Sequence, residues 1–182
     1  MVTARYDPVA RTLHWTVVVL LFVTMPMGIL MYSVLGRGAL QDALFTVHKS
    51  LGLLILALML ARLGWRLAHG APPPSPALRP LEIAASRGVH WLLYLLLLLM
   101  PVTGYVMETA GGFAVSFFGL VAVPRLVAPD KALSDMAERA HLTLQWAIYA
   151  LVLMHVGAAL HHHFFRRNDV LARMWPGLRS RA

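Results

Sequence analysis

Residues 141–165 read HLTLQWAIYALVLMHVGAALHHHFF, and this stretch decides the fold. It contains no aspartate, glutamate, lysine or arginine, and a helix of about 20 apolar residues is long enough to cross a hydrocarbon core about 30 Å thick. His141 and His155 are fourteen residues apart, so on one helix they lie about 40° apart around the axis and about 21 Å apart in depth. This helix therefore offers an imidazole at two depths of a membrane.

Three further apolar blocks precede this one, at Trp15–Leu35, Phe45–Trp65 and Val89–Met107. Hydrophobic residues make up 59% of the chain, a proportion that a soluble domain of this length could hardly tolerate. Lone strands cannot satisfy their backbone groups in lipid, so each block should be a helix. The sequence predicts an all-α, integral-membrane four-helix bundle in a single domain, residues 1–182, with helices at about 9–34, 44–66, 86–108 and 137–164.

Two long connections join the blocks. The Pro-rich stretch 71–80, APPPSPALRP, is typical of an extended linker between the second and third helices. Glycines and prolines interrupt residues 109–137, where we expect broken helices with room for a short interfacial one. The first apolar block has spanning length, so we expect no cleaved signal peptide.

The distribution of arginines predicts the orientation. Four spans place both termini and the second loop on one side, and that side carries Arg5, Arg11, Arg62, Arg66, Arg79, Arg87, Arg166, Arg167, Arg173, Arg179 and Arg181. Because basic residues accumulate on the cytoplasmic side, we expect both termini to be cytoplasmic. The net charge of +8 then reflects insertion topology and contact with anionic membrane lipid, so no nucleic-acid partner is expected.

Histidine is the ligand type that the sequence offers for a cofactor. The chain has no cysteine, which excludes disulfides and cysteine-held iron–sulfur clusters. A bis-histidine haem needs two imidazoles from facing helices at one depth. By depth His48 matches His141, and His14 matches His155. His90 is a rival to His14 as the partner of His155, and spacing alone does not exclude it. Zinc would require close additional ligands that neither pair has nearby.

The run His161–His163 ends the fourth helix, where a cation at a helix C-terminus is itself favourable. His162 follows His155 by seven residues, so it lies on the same face and about 10 Å nearer the cytoplasm.

The sequence resembles the bacterial cytochrome b561 family, which includes membrane superoxide oxidases and is similar in plan to the cytochrome b subunits of formate dehydrogenases and hydrogenases. The resemblance rests on ARTLHW, VHKSLG, GVHWLLYLLLLLMPVTGYVM, the FFGL segment near Phe117, and AHLTLQWAIYALVLMHVGAALHHHFFRRNDVLARMWP. It implies a multi-pass protein of the bacterial inner membrane that holds two haem b groups.

The resemblance also implies residue roles. His14 and His155 would bind the cytoplasmic haem iron, and His48 and His141 the periplasmic one, which leaves His90 without an iron. His162 matches a histidine implicated in ubiquinone binding, and the neighbouring candidates for that site are His90 and Arg79.

The implied function is superoxide:ubiquinone oxidoreduction, in which superoxide or another periplasmic donor gives electrons that reach ubiquinone through the haems. Cations near the outer haem would attract an anionic substrate. Lys49 is the candidate catalytic residue because it directly follows a ligand, and the other nearby cations are Arg37, Arg125, Lys131 and Arg139. The alternatives are a cytochrome b electron-transfer subunit of a dehydrogenase or hydrogenase and, more remotely, a non-redox transporter that uses its histidines.

Overall fold

The computed structural model describes residues 5–175 and residue 177, so Arg179 and Arg181 lie outside the described residues. It contains four long helices and one β-hairpin. The elements are α1 (Pro8–Ile29), which continues as a π-helical turn (Leu30–Val34), α2 (Ala39–His69), α3 (Pro80–Ala110), β1 (Val115–Phe117), β2 (Val121–Val123) and α4 (Lys131–Phe164). All four helices are long and apolar enough to cross a membrane, which confirms the predicted fold class.

All four helices begin earlier than the apolar blocks, and in α3 and α4 polar groups at the helix start extend the helix beyond the hydrophobic segment. The Asp130 side chain accepts a hydrogen bond from the Leu133 backbone N–H, which starts α4 at Lys131. At the start of α3, Pro80 occupies the first turn, and Glu82 accepts from the Arg79 backbone N–H at 2.8 Å. Polar caps of this kind carry no hydropathy signal.

The bundle is apolar inside and outside. Its core joins residues from all four helices, among them Val17, Ile55, Tyr94 and Ile148, each no more than 5% exposed. Large apolar side chains such as Leu153, which is 75% exposed, cover the outside. A helix that is hydrophobic all round is the form expected where lipid is the solvent.

The connection between α3 and α4 contains a β-hairpin, whereas the sequence left a short interfacial helix possible there. The strands pair antiparallel, Val115 with Val123 and Phe117 with Val121. Phe118 and Gly119 both have positive φ, as in tight hairpin turns. The β-branched valines favour strands, and the Ser50 hydroxyl on α2 accepts a hydrogen bond from the Phe118 N–H at 2.7 Å. We call this end of the bundle the hairpin face.

The opposite end holds both described termini, and we call it the terminal face. The stretch 71–79 has no helix or strand, in agreement with an extended linker. It is tied to the C-terminal segment, because buried Ser75 donates to Asp169, and Arg173 pairs with Asp169 at 3.5 Å and donates to the Pro73 carbonyl at 2.6 Å. Trp15 on α1 donates to the Met174 carbonyl at 3.1 Å. The terminal face is therefore closed by its own loops.

Candidate functional site

Four histidines of the bundle interior come together in two pairs. The ring centroids of His48 on α2 and His141 on α4 are 6.5 Å apart. Those of His14 on α1 and His155 on α4 are 6.3 Å apart. Because His141 and His155 lie about 21 Å apart along α4, the pairs occupy two levels. We call them the hairpin-side pair and the terminal-side pair.

The spacing within each pair suits a shared metal ion. An imidazole nitrogen lies about 2 Å from a first-row metal ion such as zinc, so two rings on opposite sides of one ion have centroids roughly 6 Å apart. Both measured separations agree with this value. Among the described residues there is no group of three or more histidines, cysteines or carboxylates that could hold a metal ion by itself. A metal between either pair would thus need its remaining ligands from a cofactor.

The helix backbones leave space beside the pairs. Within residues 5–175, no Cα of α4 comes within 8 Å of a Cα of α1 or α2, although histidines on those helices face each other. A cavity of about 140 Å³ opens at the hairpin-side pair, lined mainly by apolar side chains. That is roughly ten times the space that one water requires. The hairpin-side pair therefore borders a large apolar chamber.

Two glycines lie directly against the imidazole rings of the hairpin-side pair. A Cβ atom at Gly104 would lie 3.0 Å from Cε1 of His141, and one at Gly28 would lie 3.4 Å from Cε1 of His48. Nδ1 of His141 donates to the Met100 carbonyl at 3.0 Å and lies 3.2 Å from the Thr103 hydroxyl. With Nδ1 held in this way, Nε2 is the nitrogen left for a ligand.

His90 is the other candidate ligand at the terminal-side level. His90 joins the terminal-side pair, since its ring centroid is 5.2 Å from that of His155 and its Nδ1 lies 3.3 Å from the Ser86 hydroxyl. His14 and His90 are therefore both close enough to His155 to be its partner. The separation of 6.3 Å between His14 and His155 is nearer the spacing for a shared metal.

His162 lies in a polar cluster at the terminal face. Its Nδ1 is 2.9 Å from the Asn168 amide nitrogen, and Glu82 is close enough to interact with it electrostatically. Glu82 also forms an ion pair with Arg166 at 3.2 Å and accepts from the backbone of Arg79. The structure thus groups Arg79 with His162, while no described contact joins either of them to His90.

Lys49 lines the hairpin-side cavity, but it is not a lone cation. Its ammonium forms an ion pair with Glu108 at 2.9 Å, and both side chains are mostly buried. Glu138 lines the same cavity and accepts a hydrogen bond from the Tyr32 hydroxyl at 3.2 Å. The sequence reasoning missed both glutamates, because nothing in the linear pattern shows that they meet Lys49 or Tyr32.

Comparison with known proteins supplies the family. The family model described as prokaryotic cytochrome b561 matches residues 5–177. The chain belongs to the cytochrome b561 family. Membership makes it a membrane electron-transfer protein that binds haem b, and with four candidate spans it is a multi-pass protein of the bacterial inner membrane.

Individual relatives cover almost the full chain. "Cytochrome b561 homolog 2" of Escherichia coli (strain K12) is 32% identical over 170 residues, covering 93% of this chain and 90% of that protein. "Probable superoxide oxidase CybB" of Yersinia pestis is 29% identical, covering 97% and 98%. "Cytochrome b561 homolog 1" of Escherichia coli (strain K12) is 28% identical, covering 94% and 97%.

The residues present fit a haem at the hairpin-side level, and the ring separation at the terminal-side level suits the same group. Each ring separation would let the two imidazoles bind one iron, and at the hairpin-side pair the chamber and the close glycines leave space for a flat group. Nδ1 of His14 and Nδ1 of His48 are buried without a hydrogen-bond partner, an arrangement that costs about 1–3 kcal/mol per group.

Proposed function

We propose that this cytochrome b561 holds two haem b groups, one between His48 and His141 and one between His14 and His155, and carries electrons from a donor at the hairpin face to a quinone near the terminal face. The observation that carries the proposal is the pair of ring separations, 6.5 and 6.3 Å, at two levels of one bundle. We keep the prediction of one domain over residues 1–182, which is supported by contacts of α4 with α2 and with α1, such as the hydrogen bond from the Tyr149 hydroxyl to the Met25 carbonyl at 3.1 Å.

The terminal face is the cytoplasmic one in this proposal. Arginines cluster at that end, and basic residues near spans mark the cytoplasmic side. The hairpin face is then periplasmic, and a donor would reach the hairpin-side cavity from there. The membrane lipid surrounds the exposed apolar faces of all four helices.

Superoxide is the proposed donor and ubiquinone the proposed acceptor. A relative that matches nearly the full chain is named as a probable superoxide oxidase, which supports this choice. Two superoxide anions each lose one electron and become dioxygen, and one ubiquinone takes up both electrons and two protons to become ubiquinol. The bound haems supply one-electron redox chemistry, while the chain supplies ligands, insulation and access.

Lys49 and His162 are the proposed contacts for the two substrates. Lys49 lines the hairpin-side cavity, where its ammonium can attract an anion, although the ion pair with Glu108 compensates its charge. His162 offers an imidazole to a quinone carbonyl, with Arg79 in the same polar cluster and His90 placed one level deeper.

The haem assignment is tested by haem-to-protein ratios of purified variants. His48→Ala or His141→Ala should remove one haem, and His14→Ala or His155→Ala the other, whereas His90→Ala should keep both. A wild-type protein without a Soret band after haem-replete expression would refute the proposal. Loss of a haem in His90→Ala with retention in His14→Ala would reassign the terminal-side ligand.

The substrate assignment is tested by rapid mixing of the oxidised protein with superoxide, with and without ubiquinone. Haem reduction should outpace the spontaneous loss of superoxide, and added ubiquinone should reoxidise the haems. Lys49→Gln should slow the first step at low salt without changing haem content. Haem reduction no faster than spontaneous superoxide loss would exclude superoxide, and co-purification of a catalytic partner would then favour a cytochrome subunit of a dehydrogenase complex.

A further inference from the structure

Each helix of the bundle carries two residues fourteen positions apart, one at each level of the histidine pairs. They are His14 and Gly28 on α1, His48 and Arg62 on α2, His90 and Gly104 on α3, and His141 and His155 on α4. Contacts establish the levels, since Gly28 faces His48, Gly104 faces His141, and His90 faces His155. Two glycines therefore complete the hairpin-side level, whereas Arg62 and His90 complete the terminal-side level.

Arg62 is an unusual residue for this position in a membrane span. Its guanidinium carbon lies 5.1 Å from the centroid of the Tyr94 ring, and no carboxylate of residues 5–175 forms an ion pair with it. It is close enough to His14 and His155 to interact with both electrostatically. Arginine keeps its charge in proteins, so a permanent cation stands beside the terminal-side pair.

Arg66 adds to the same field. It lies one turn further along α2, with its guanidinium carbon 5.4 Å from the Trp91 ring centroid, and it lines a small pocket together with Arg62 and His90. This side of the terminal-side pair is thus positively charged, and the aromatic rings stabilise the cations without neutralising them.

The hairpin-side level has the opposite balance. The one ammonium in its cavity, that of Lys49, is paired with Glu108 at 2.9 Å. Glu138 adds a second carboxylate to the lining. The described lining of this cavity therefore carries one positive and two negative groups, so the two levels differ in the sign of their local charge.

We propose that Arg62 sets the direction of electron transfer by making the terminal-side site the preferred place for the electron. One electron leaves the hairpin-side site, which is oxidised, and enters the terminal-side site, which is reduced, with no bond made or broken. Packed helices lie about 8–10 Å apart. A unit charge about 10 Å from one site and about 23 Å from the other, with an effective dielectric constant of about 20, shifts such an equilibrium roughly fivefold.

This inference rests on the proposed function, because it requires a haem at each histidine pair. Arg62 acts through the haem and touches neither substrate, so the decisive readout is the equilibrium distribution of electrons between the haems. An equilibrium redox titration of the purified holoprotein, followed by visible absorption, measures that distribution without superoxide or quinone. The His14→Ala variant, which lacks the terminal-side haem, assigns the two spectral components.

The test compares Arg62→Gln and Arg62→Met with Arg62→Lys. The first two remove the charge, and each should lower the preference for the terminal-side haem by roughly fivefold. Arg62→Lys keeps the charge and should stay near the wild type. Arg87→Gln is the matched control, because Arg87 is an exposed arginine of α3 near the same face, and it should leave the distribution unchanged.

A preference within twofold of the wild type, in an Arg62→Gln or Arg62→Met protein that retains both haems, would overturn the inference. If both variants lose the terminal-side haem, Glu108→Gln decides, because it leaves Lys49 uncompensated and should move the electron toward the hairpin-side haem. An unchanged distribution in Glu108→Gln would then overturn the inference. Failure of the underlying function is recognised separately, since the wild type would not show two haem components at all.

Discussion

Replacing Gly104 by alanine tests whether the hairpin-side pair needs a close helix approach. A Cβ at this position would lie 3.0 Å from Cε1 and 3.2 Å from Nδ1 of His141. Carbon atoms in favourable contact are about 3.5–4.0 Å apart, so the imidazole must move by roughly half an ångström or more. The ring has little freedom to do so, because Nδ1 donates to the Met100 carbonyl.

The cost of this movement can be estimated from the bond that it breaks. A buried hydrogen bond contributes about 0.5–1.5 kcal/mol, and a buried group left without its partner costs about 1–3 kcal/mol. Loss of the partner that orients a metal-binding histidine typically lowers metal affinity about 10–100-fold. We therefore expect Gly104→Ala to lose the hairpin-side haem selectively and to bring the haem-to-protein ratio from two toward one.

The assay is the haem-to-protein ratio of protein purified in detergent, combined with a redox titration that distinguishes the two haems. Gly28→Ala gives a graded comparison, because its Cβ would lie 3.4 Å from His48 and needs only a small adjustment. Gly64→Ala on α2 has nothing within 4 Å of the new Cβ and should keep both haems, with a gain of about 1 kcal/mol in helix propensity. A Gly104→Ala protein with two haems of unchanged potential would refute the reasoning.

Two further predictions concern the terminal face. The hydrogen bond from the Ala10 N–H, together with that from Trp65, holds the pKa of Asp7 below its usual range. Its stabilising effect should therefore be complete at pH 7 and should be lost as the pH falls through the lowered pKa. Asp7→Ala should cost about 1 kcal/mol at pH 7 in thermal unfolding, and a melting temperature with the same acid dependence as the wild type would contradict this. Ser75→Ala should destabilise the protein by about 1–3 kcal/mol, because buried Asp169 loses a donor. The exposed Ser33→Ala is the control, and equal melting temperatures for the two serine variants would show that the loop contact contributes nothing.

The interfaces between helices and loops illustrate what was beyond the reach of sequence reasoning. The glycines and prolines of residues 109–137 leave a short helix possible, yet residues 115–123 form a hairpin, and its turn is tied to α2 by the hydrogen bond from the Phe118 N–H to the Ser50 hydroxyl. Likewise, the sequence makes Lys49 a candidate cation near the outer haem, and only the structure shows that α3 brings Glu108 to within 2.9 Å of it. Both contacts join residues more than fifty positions apart in the chain, so no local pattern encodes them.

The sequence by itself determined the four membrane helices and the two depths at which histidines occur. Hydrophobic length and helical period are local properties, and the fourteen-residue spacing of His141 and His155 follows from them directly. Tertiary structure decided which side chains complete each level, namely glycines beside one pair and Arg62 with His90 beside the other. The physical reason is that helix rotation and approach are set by packing between segments, and the charge around each site follows from that packing.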